Sequence, residues 1–151
     1  MMLTSKARYG VIAMVELALQ PVGRPVNLNE ISQRHQITVK YLEQIFNKLK
    51  QKNLVKATKG PGGGYSLNIE ANKIYIFHII AAVDEQIKMT RCKVPTSGCV
   101  NGKTKCITHD LWEGLSNQIY NYLNNITLQD ICERKLSKPY IEFHNVSMAN
   151  L

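Results

Sequence analysis

Residues 28–69 hold the pattern that most restricts this chain. Asn27 and Glu30 have the spacing of a capping box, which opens a short helix over about 28–34. His35-Gln-Ile37 allows only a tight connection before Thr38, which can cap a second helix to about Lys50. That helix repeats Leu42, Ile45, Phe46 and Leu49 at i, i+3, i+4, i+7, a single apolar stripe. Its opposite face carries Lys40, Tyr41, Gln44, Asn47 and Lys48. Two β-prone runs follow, Leu54–Thr58 and Tyr65–Ile69, around Lys59-Gly-Pro-Gly-Gly-Gly64. In the second run Tyr65, Leu67 and Ile69 alternate with polar residues, so the stretch reads as a hairpin with a glycine-rich tip. Two helices across a tight turn, with a basic second helix and a glycine-tipped hairpin directly after it, describe a winged helix-turn-helix.

The flanking segments extend this unit. Thr4 can cap a first helix to about Leu19, with Tyr9, Ile12, Ala13, Val15, Leu17 and Leu19 on its apolar face. Gln20-Pro-Val-Gly-Arg-Pro25 ends it. A fourth helix over 75–84 would turn Ile76, Ile79, Ile80 and Val83 inward. Periodicity then stops. Thr108 is positioned to cap a long helix over about 109–124 with Trp112, Leu115, Ile119 and Tyr122 at near-heptad spacing, a recurrence that Ile126 continues. Thr127 and Asp130 open a last short helix over about 128–134. The expected fold is therefore mainly α with a small β-hairpin wing. It divides into residues 1–84 as the DNA-binding domain, 85–108 as a cysteine-rich loop, 109–134 as a long helix and a short final one, and 135–151 as a polar tail expected to be disordered.

Charge placement agrees with a polyanionic partner. Ten Lys/Arg against three acidic residues in residues 1–60 leave +7 there, out of +8 for the whole chain. A solvated basic face would give the same count, so the case for double-stranded DNA rests on the fold pattern. The start of the second helix of such a unit enters the major groove, which selects Thr38, Lys40, Tyr41, Glu43 and Gln44. Gln can bond adenine in bidentate fashion and Glu can accept from the cytosine amino group. Thr38, Lys40 and Tyr41 suit phosphates, which set register. Glu43 either penalises the wrong operator through phosphate repulsion or pairs with Asn47 or a nearby lysine. Lys59 and Gly60 at the wing tip let cation and bare backbone approach a phosphate or the minor-groove floor. The glycine run lacks the Gly-Lys-Ser/Thr ending of a nucleotide phosphate loop, and a strand follows it.

No apolar run approaches the ~20 residues of a membrane span. Glu16 interrupts the apolar Val11–Val15 run that follows Lys6 and Arg8, so a signal peptide is not expected. A cytoplasmic location is expected, where cysteines serve metals or redox chemistry more often than disulfides. Cys92, Cys99, Cys106 and His109 are spaced Cys-x6-Cys-x6-Cys-x2-His. Three thiolates and an imidazole suit either an iron–sulfur cluster or zinc, although zinc fingers favour closer cysteine pairs. Arg91, Lys93, Lys103 and Lys105 would favour thiolates and offset cluster charge. Cys132 reads as a small buried hydrophobe, and His35, His78 and His144 as ordinary residues. A redox or cluster-transfer enzyme has no support: there is no Cys-x2-Cys pair, no nucleophile with a base and no substrate signature.

The chain resembles the IscR family of bacterial iron–sulfur cluster regulators. The likeness runs over about residues 2–130, through Leu3-Thr-Ser-Lys6, Tyr41-Leu-Glu-Gln44, Lys59-Gly-Pro-Gly-Gly-Gly-Tyr65 and Ala82-Val-Asp-Glu85. It continues in Thr90-Arg-Cys92, Cys106-Ile-Thr-His109 and Leu123-Asn-Asn-Ile-Thr127. The resemblance implies a homodimeric transcription regulator, often a repressor of cluster-assembly genes. It implies a 2Fe–2S cluster on Cys92, Cys99, Cys106 and His109, with the long helix as the dimer helix. Two departures stand out. Family members usually place five residues between successive cysteines, where this chain has six in both gaps. The wing commonly carries Arg where this chain has Lys59, a strongly hydrated point charge that reads a minor groove less well.

Overall fold

A computed structural model describes residues 5–83 and 105–136. In chain order the elements are α1 (Ser5–Ala18), α2 (Leu28–His35), α3 (Val39–Gln51), β1 (Val55–Thr58), β2 (Gly64–Leu67), a 3-10 turn (Ala71–Lys73), α4 (Ile76–Ala82), α5 (His109–Asn124) and α6 (Leu128–Cys132). The expected mainly helical fold with its hairpin is present. Thr4, Cys92, Cys99, most of the cysteine-rich loop and residues 137–151 lie outside the described residues.

Local chemistry explains the helix starts. Thr38 is extended and accepts from the Tyr41 amide at 3.4 Å, as its position before α3 requires. Thr127 and Asp130 form a complete capping box on α6, with the hydroxyl accepting from Asp130 N at 3.1 Å and the carboxylate from Thr127 N at 2.9 Å. Asn27 caps α2, but its Oδ1 takes the Asn29 amide at 2.9 Å in place of the expected box with Glu30. Thr108 departs further. It precedes α5 without a side-chain cap bond, because its hydroxyl turns back to the Cys106 sulfur at 3.6 Å.

One core joins the helices. The α3 stripe Leu42, Ile45, Phe46 and Leu49 is buried as expected, and so are Ile76, Ile79, Ile80 and Val83. The α1 face differs from the expected one. Ala7, Gly10, Ala13, Met14 and Leu17 are buried, while Leu19 is exposed, because the helix ends at Ala18 and packs on α3, α4, α6 and β2 together. Gly10 lets α4 come close: a methyl group there would meet Val83 Cγ1 at 3.3 Å.

The wing is an antiparallel hairpin with Val55 opposite Leu67 and Thr58 opposite Gly64. Val26 adds a third rung on the outer edge of β2, donating to Tyr65 O at 2.8 Å and accepting from Tyr65 N at 2.9 Å. Tyr65 is thus paired on both sides of β2, which ends at Leu67. Tyr65 leans on Phe46 with ring centroids 4.6 Å apart. Ser66 is the buried residue of the strand, and Tyr65 and Leu67 on either side of it pack half-buried against the core.

Residues 74–76 and 126–128 tie α5 and α6 to the N-terminal unit. Ile76 N donates to Ile126 O at 2.9 Å, Leu128 N donates to Ile74 O at 2.8 Å, and Tyr75 bridges Thr127. Leu128 is completely buried in the same core, and Phe77 meets Tyr120 of α5 edge-on at 4.5 Å.

Candidate nucleic-acid interface and metal-ligand turn

The α3 side chains divide into two groups. Lys40, Glu43 and Gln44 are exposed on the face opposite the core stripe, and Asn47 continues that face one turn on. Among the described residues no hydrogen bond or ion pair ties Glu43 down. The alternative in which it pairs with Asn47 or a lysine therefore gains no support. Thr38 is exposed, but its oxygen is already the α3 cap. Tyr41 is half-buried, its ring edge-on to Tyr9 of α1 at 5.9 Å, so its ring braces α1 against the start of α3.

At the wing tip Lys59 and Gly60 are exposed. Gly63 N donates to Gly60 O at 2.9 Å, closing a tight turn, and Gly62 has φ +73, a conformation that costs any residue with a Cβ. A methyl group on Gly64 would lie 2.2 Å from Val26 O, so bare backbone is needed for the third rung. The glycine run is thus partly an internal packing device.

Sequence reasoning passed over one cluster. Glu16, placed among apolar residues of α1, is buried and uses both carboxylate oxygens. One accepts from the Arg34 guanidinium, and the other lies 2.7 Å from His35 Nε2. These partners end α2, and Gln36 follows in the left-handed conformation that makes the helix-turn-helix turn. Glu16 therefore holds that turn against α1. The available signal was a lone carboxylate on an otherwise apolar helix face, which needs partners when buried.

Of the four proposed metal ligands, Cys106 and His109 fall within the described residues. They share one tight turn, with His109 N donating to Cys106 O at 3.0 Å, and both are half-buried. His109 is the first residue of α5, its side chain 14% exposed. Below it on the same face, Glu113 Oε2 lies 3.8 Å from His109 Nε2. Lys105 Nζ reaches Asp110 at 3.4 Å and Glu113 at 4.0 Å. A thiol and an imidazole held on one turn form half of a donor set that suits a soft metal centre. Cys132 lies elsewhere, half-buried in α6, where burial pushes its thiol pKa up. α5 itself buries no residue. Leu111 (63%), Trp112 (37%) and Tyr122 (54%) remain exposed along it.

Comparison with known proteins identifies the fold and its use. The Rrf2 family, described as "Iron-dependent Transcriptional regulator", matches residues 3–134. The chain belongs to the Rrf2 family. Relatives agree on its broad role. A Haemophilus influenzae protein designated an HTH-type transcriptional regulator is 45% identical over 148 residues, 97% of both chains. The HTH-type transcriptional regulator IscR of Vibrio campbellii is 48% identical over 131 residues, 87% of this chain and 77% of the relative. Among solved structures, IscR of T. potens superposes with TM-score 0.71 at 29% identity, covering 93% of this chain and 95% of that one. CymR, the global cysteine regulator of B. subtilis, gives TM-score 0.74 at 27% identity over 89% and 98%. This Rrf2 protein is a DNA-binding transcription regulator of winged helix-turn-helix fold and not an enzyme. Among the described residues no helix is long and apolar enough to cross a membrane.

Proposed function

We propose that this chain works as a homodimer whose choice of promoter depends on a 2Fe–2S cluster held by Cys92, Cys99, Cys106 and His109. Glu43 and Gln44 read the major groove, Thr38, Lys40 and Tyr41 approach the backbone, and Lys59 with Gly60 reaches the adjacent minor groove. The observation that carries the proposal is the placement of Cys106 and His109 on the turn that starts α5, the helix with the uncovered apolar side. A ligand-bearing turn there is covalently continuous with the proposed dimer helix. When bound, a cluster supplies a redox couple and an occupancy that responds to iron and oxidants.

The chain's own residues do the rest. The thiolates and the imidazole fix the 85–108 loop to α5 when they converge. α5 is pinned at its other end by Tyr120, Ile126 and Leu128. Reordering of the loop therefore biases α5 and, through the partner copy, the spacing of two recognition helices that must meet major grooves roughly 34–36 Å apart. Coupling of this kind is typically ~1–3 kcal/mol, a 5–150-fold change in affinity.

Anaerobic purification followed by iron, sulfide and zinc assays tests the centre. Two irons and two sulfides per chain are expected, and stoichiometric zinc without sulfide would replace the cluster by a structural metal. Cys92→Ala, Cys99→Ala and Cys106→Ala should each lose the cluster and remain folded dimers. If such a variant bound every promoter as the loaded protein does, sensing would be refuted. Sedimentation equilibrium tests the dimer, and a monomer at micromolar concentration would overturn it.

A further inference from the structure

We infer that Glu113 is a positioning residue for the metal-ligating imidazole of His109, with Lys105 holding Glu113 in place, so that this carboxylate tunes the centre. The inference rests on the proposed ligation by His109 and deepens it.

His109 and Glu113 are one turn apart on α5, an i, i+4 relation that the helix itself enforces. Glu113 Oε2 approaches Nε2 of the ring, at 3.8 Å. Ligation through Nδ1 would leave Nε2–H facing this carboxylate. A ligating His nearly always gives its other N–H to a carboxylate, carbonyl or water, which fixes the tautomer and ring orientation and strengthens the donor. Lys105 lies 4.0 Å from Glu113 and 3.4 Å from Asp110, and it directly precedes the ligand Cys106. Its ammonium therefore gathers both acids at the ligand turn. The three groups His109, Asp110 and Glu113 bring their donor atoms within 4.8 Å of one another. Asp110 is the next residue after His109 and is bonded to Lys105, so it supplies charge at similar range while the geometric relation to Nε2 belongs to Glu113.

A stronger imidazole donor stabilises the more oxidised metal centre. Glu113→Gln, which keeps size and removes the charge, should raise the midpoint potential of the reconstituted cluster and shorten its half-life under a chelator. Asp110→Asn changes net charge equally and should move both readouts less. The effect of Glu113→Gln should vanish in a His109→Cys background, where no second ring nitrogen exists. Spectroelectrochemical titration at fixed pH and the decay of visible absorption with chelator give the two readouts. Equal shifts in Glu113→Gln and Asp110→Asn would reduce the effect to net charge and overturn the inference. So would a shift that persists in the His109→Cys background, or none at all in a protein whose cluster is lost on His109→Ala. A wild-type protein that assembles no cluster would instead overturn the proposed function itself, and this inference with it.

Discussion

Replacing Gly64 by Ala should unhook the wing from the body of the domain. The new methyl carbon would stand 2.2 Å from Val26 O and 2.5 Å from Val26 C, well inside the 3.0 Å that real Cβ atoms keep. The obstructing atoms are backbone, so no side chain can swing aside. The strand must retreat, and the pair of hydrogen bonds between Val26 and Tyr65, 2.8 and 2.9 Å long, is lost. Each is worth about 0.5–1.5 kcal/mol net, and leaving buried partners unsatisfied costs about 1–3 kcal/mol. Val26 is buried, so a total of about 2–4 kcal/mol is expected. With a mid-range urea slope of about 2 kcal/mol/M, the unfolding midpoint should fall by about 1–2 M at fixed protein concentration. Gly62→Ala is the control. It has φ +73 but nothing within 4 Å, so it should lose only the left-handed conformational cost of about 1–2 kcal/mol. Affinity for duplex should drop in the Gly64 variant, whose wing is displaced, more than in the Gly62 variant. Equal midpoints for the two variants would refute the reasoning, since close approach would then count for nothing.

Leu128→Ala should cost about 2–5 kcal/mol in urea unfolding despite lying beyond α5, because Leu128 fills the N-terminal core; a loss under about 0.5 kcal/mol would contradict that placement. Hydrogen bonds from Thr127 hold the Asp130 carboxyl below its ordinary pKa. Its contribution is therefore present above the unfolded carboxylate range and lost as pH falls through the depressed folded value, so Asp130→Asn should be less stable than wild type at neutral pH and converge with it in acid melts. Lys59→Ala should reduce the slope of log affinity against log salt by about 0.9 for each wing on the duplex. Lys59→Arg should sharpen the preference for operators with a narrow minor groove, read in competition titrations.

The order of helices, the α3 core stripe and the hairpin were legible because each rests on local signals: a cap, a period or a glycine run. The α1 face was misjudged for a nonlocal reason. Four elements (α3, α4, α6 and β2) pack on it at once, so Gly10 and Met14 are buried and Leu19 is not, which a single amphipathic stripe does not convey. Ser66 is buried although it is the polar member of an alternating run, which a period of two does not convey. Glu16 illustrates the same limit: its partners Arg34 and His35 become visible only when α2 turns back on α1. At the site, the exposed α3 face followed directly from the opposite core stripe. The Tyr9 contact of Tyr41 and the Glu113 approach to His109 required coordinates, although the latter spacing was present as i, i+4.

The pinned end of α5 restricts how a signal at its start can reach DNA in the proposed homodimer. From His109 to Asn124 α5 spans 16 residues, a length of about 24 Å at 1.5 Å per residue. Tyr120, Ile126 and Leu128 fix the far end to α4 and the common core. A change at His109 therefore cannot swing α5 as a free arm; it can tilt the helix about its anchored end. A tilt of about 10° moves the His109 end by about 4 Å over that length. Because the exposed Leu111 and Trp112 lie near the moving end, such a tilt changes how two copies meet more than how either copy folds. The expected signature is specific: removing the cluster should leave the unfolding midpoint of the N-terminal core nearly unchanged while altering affinity for operators according to half-site spacing. Equal affinity changes across operators with altered spacing would place the switch inside one subunit, for example at α3, and not between the two.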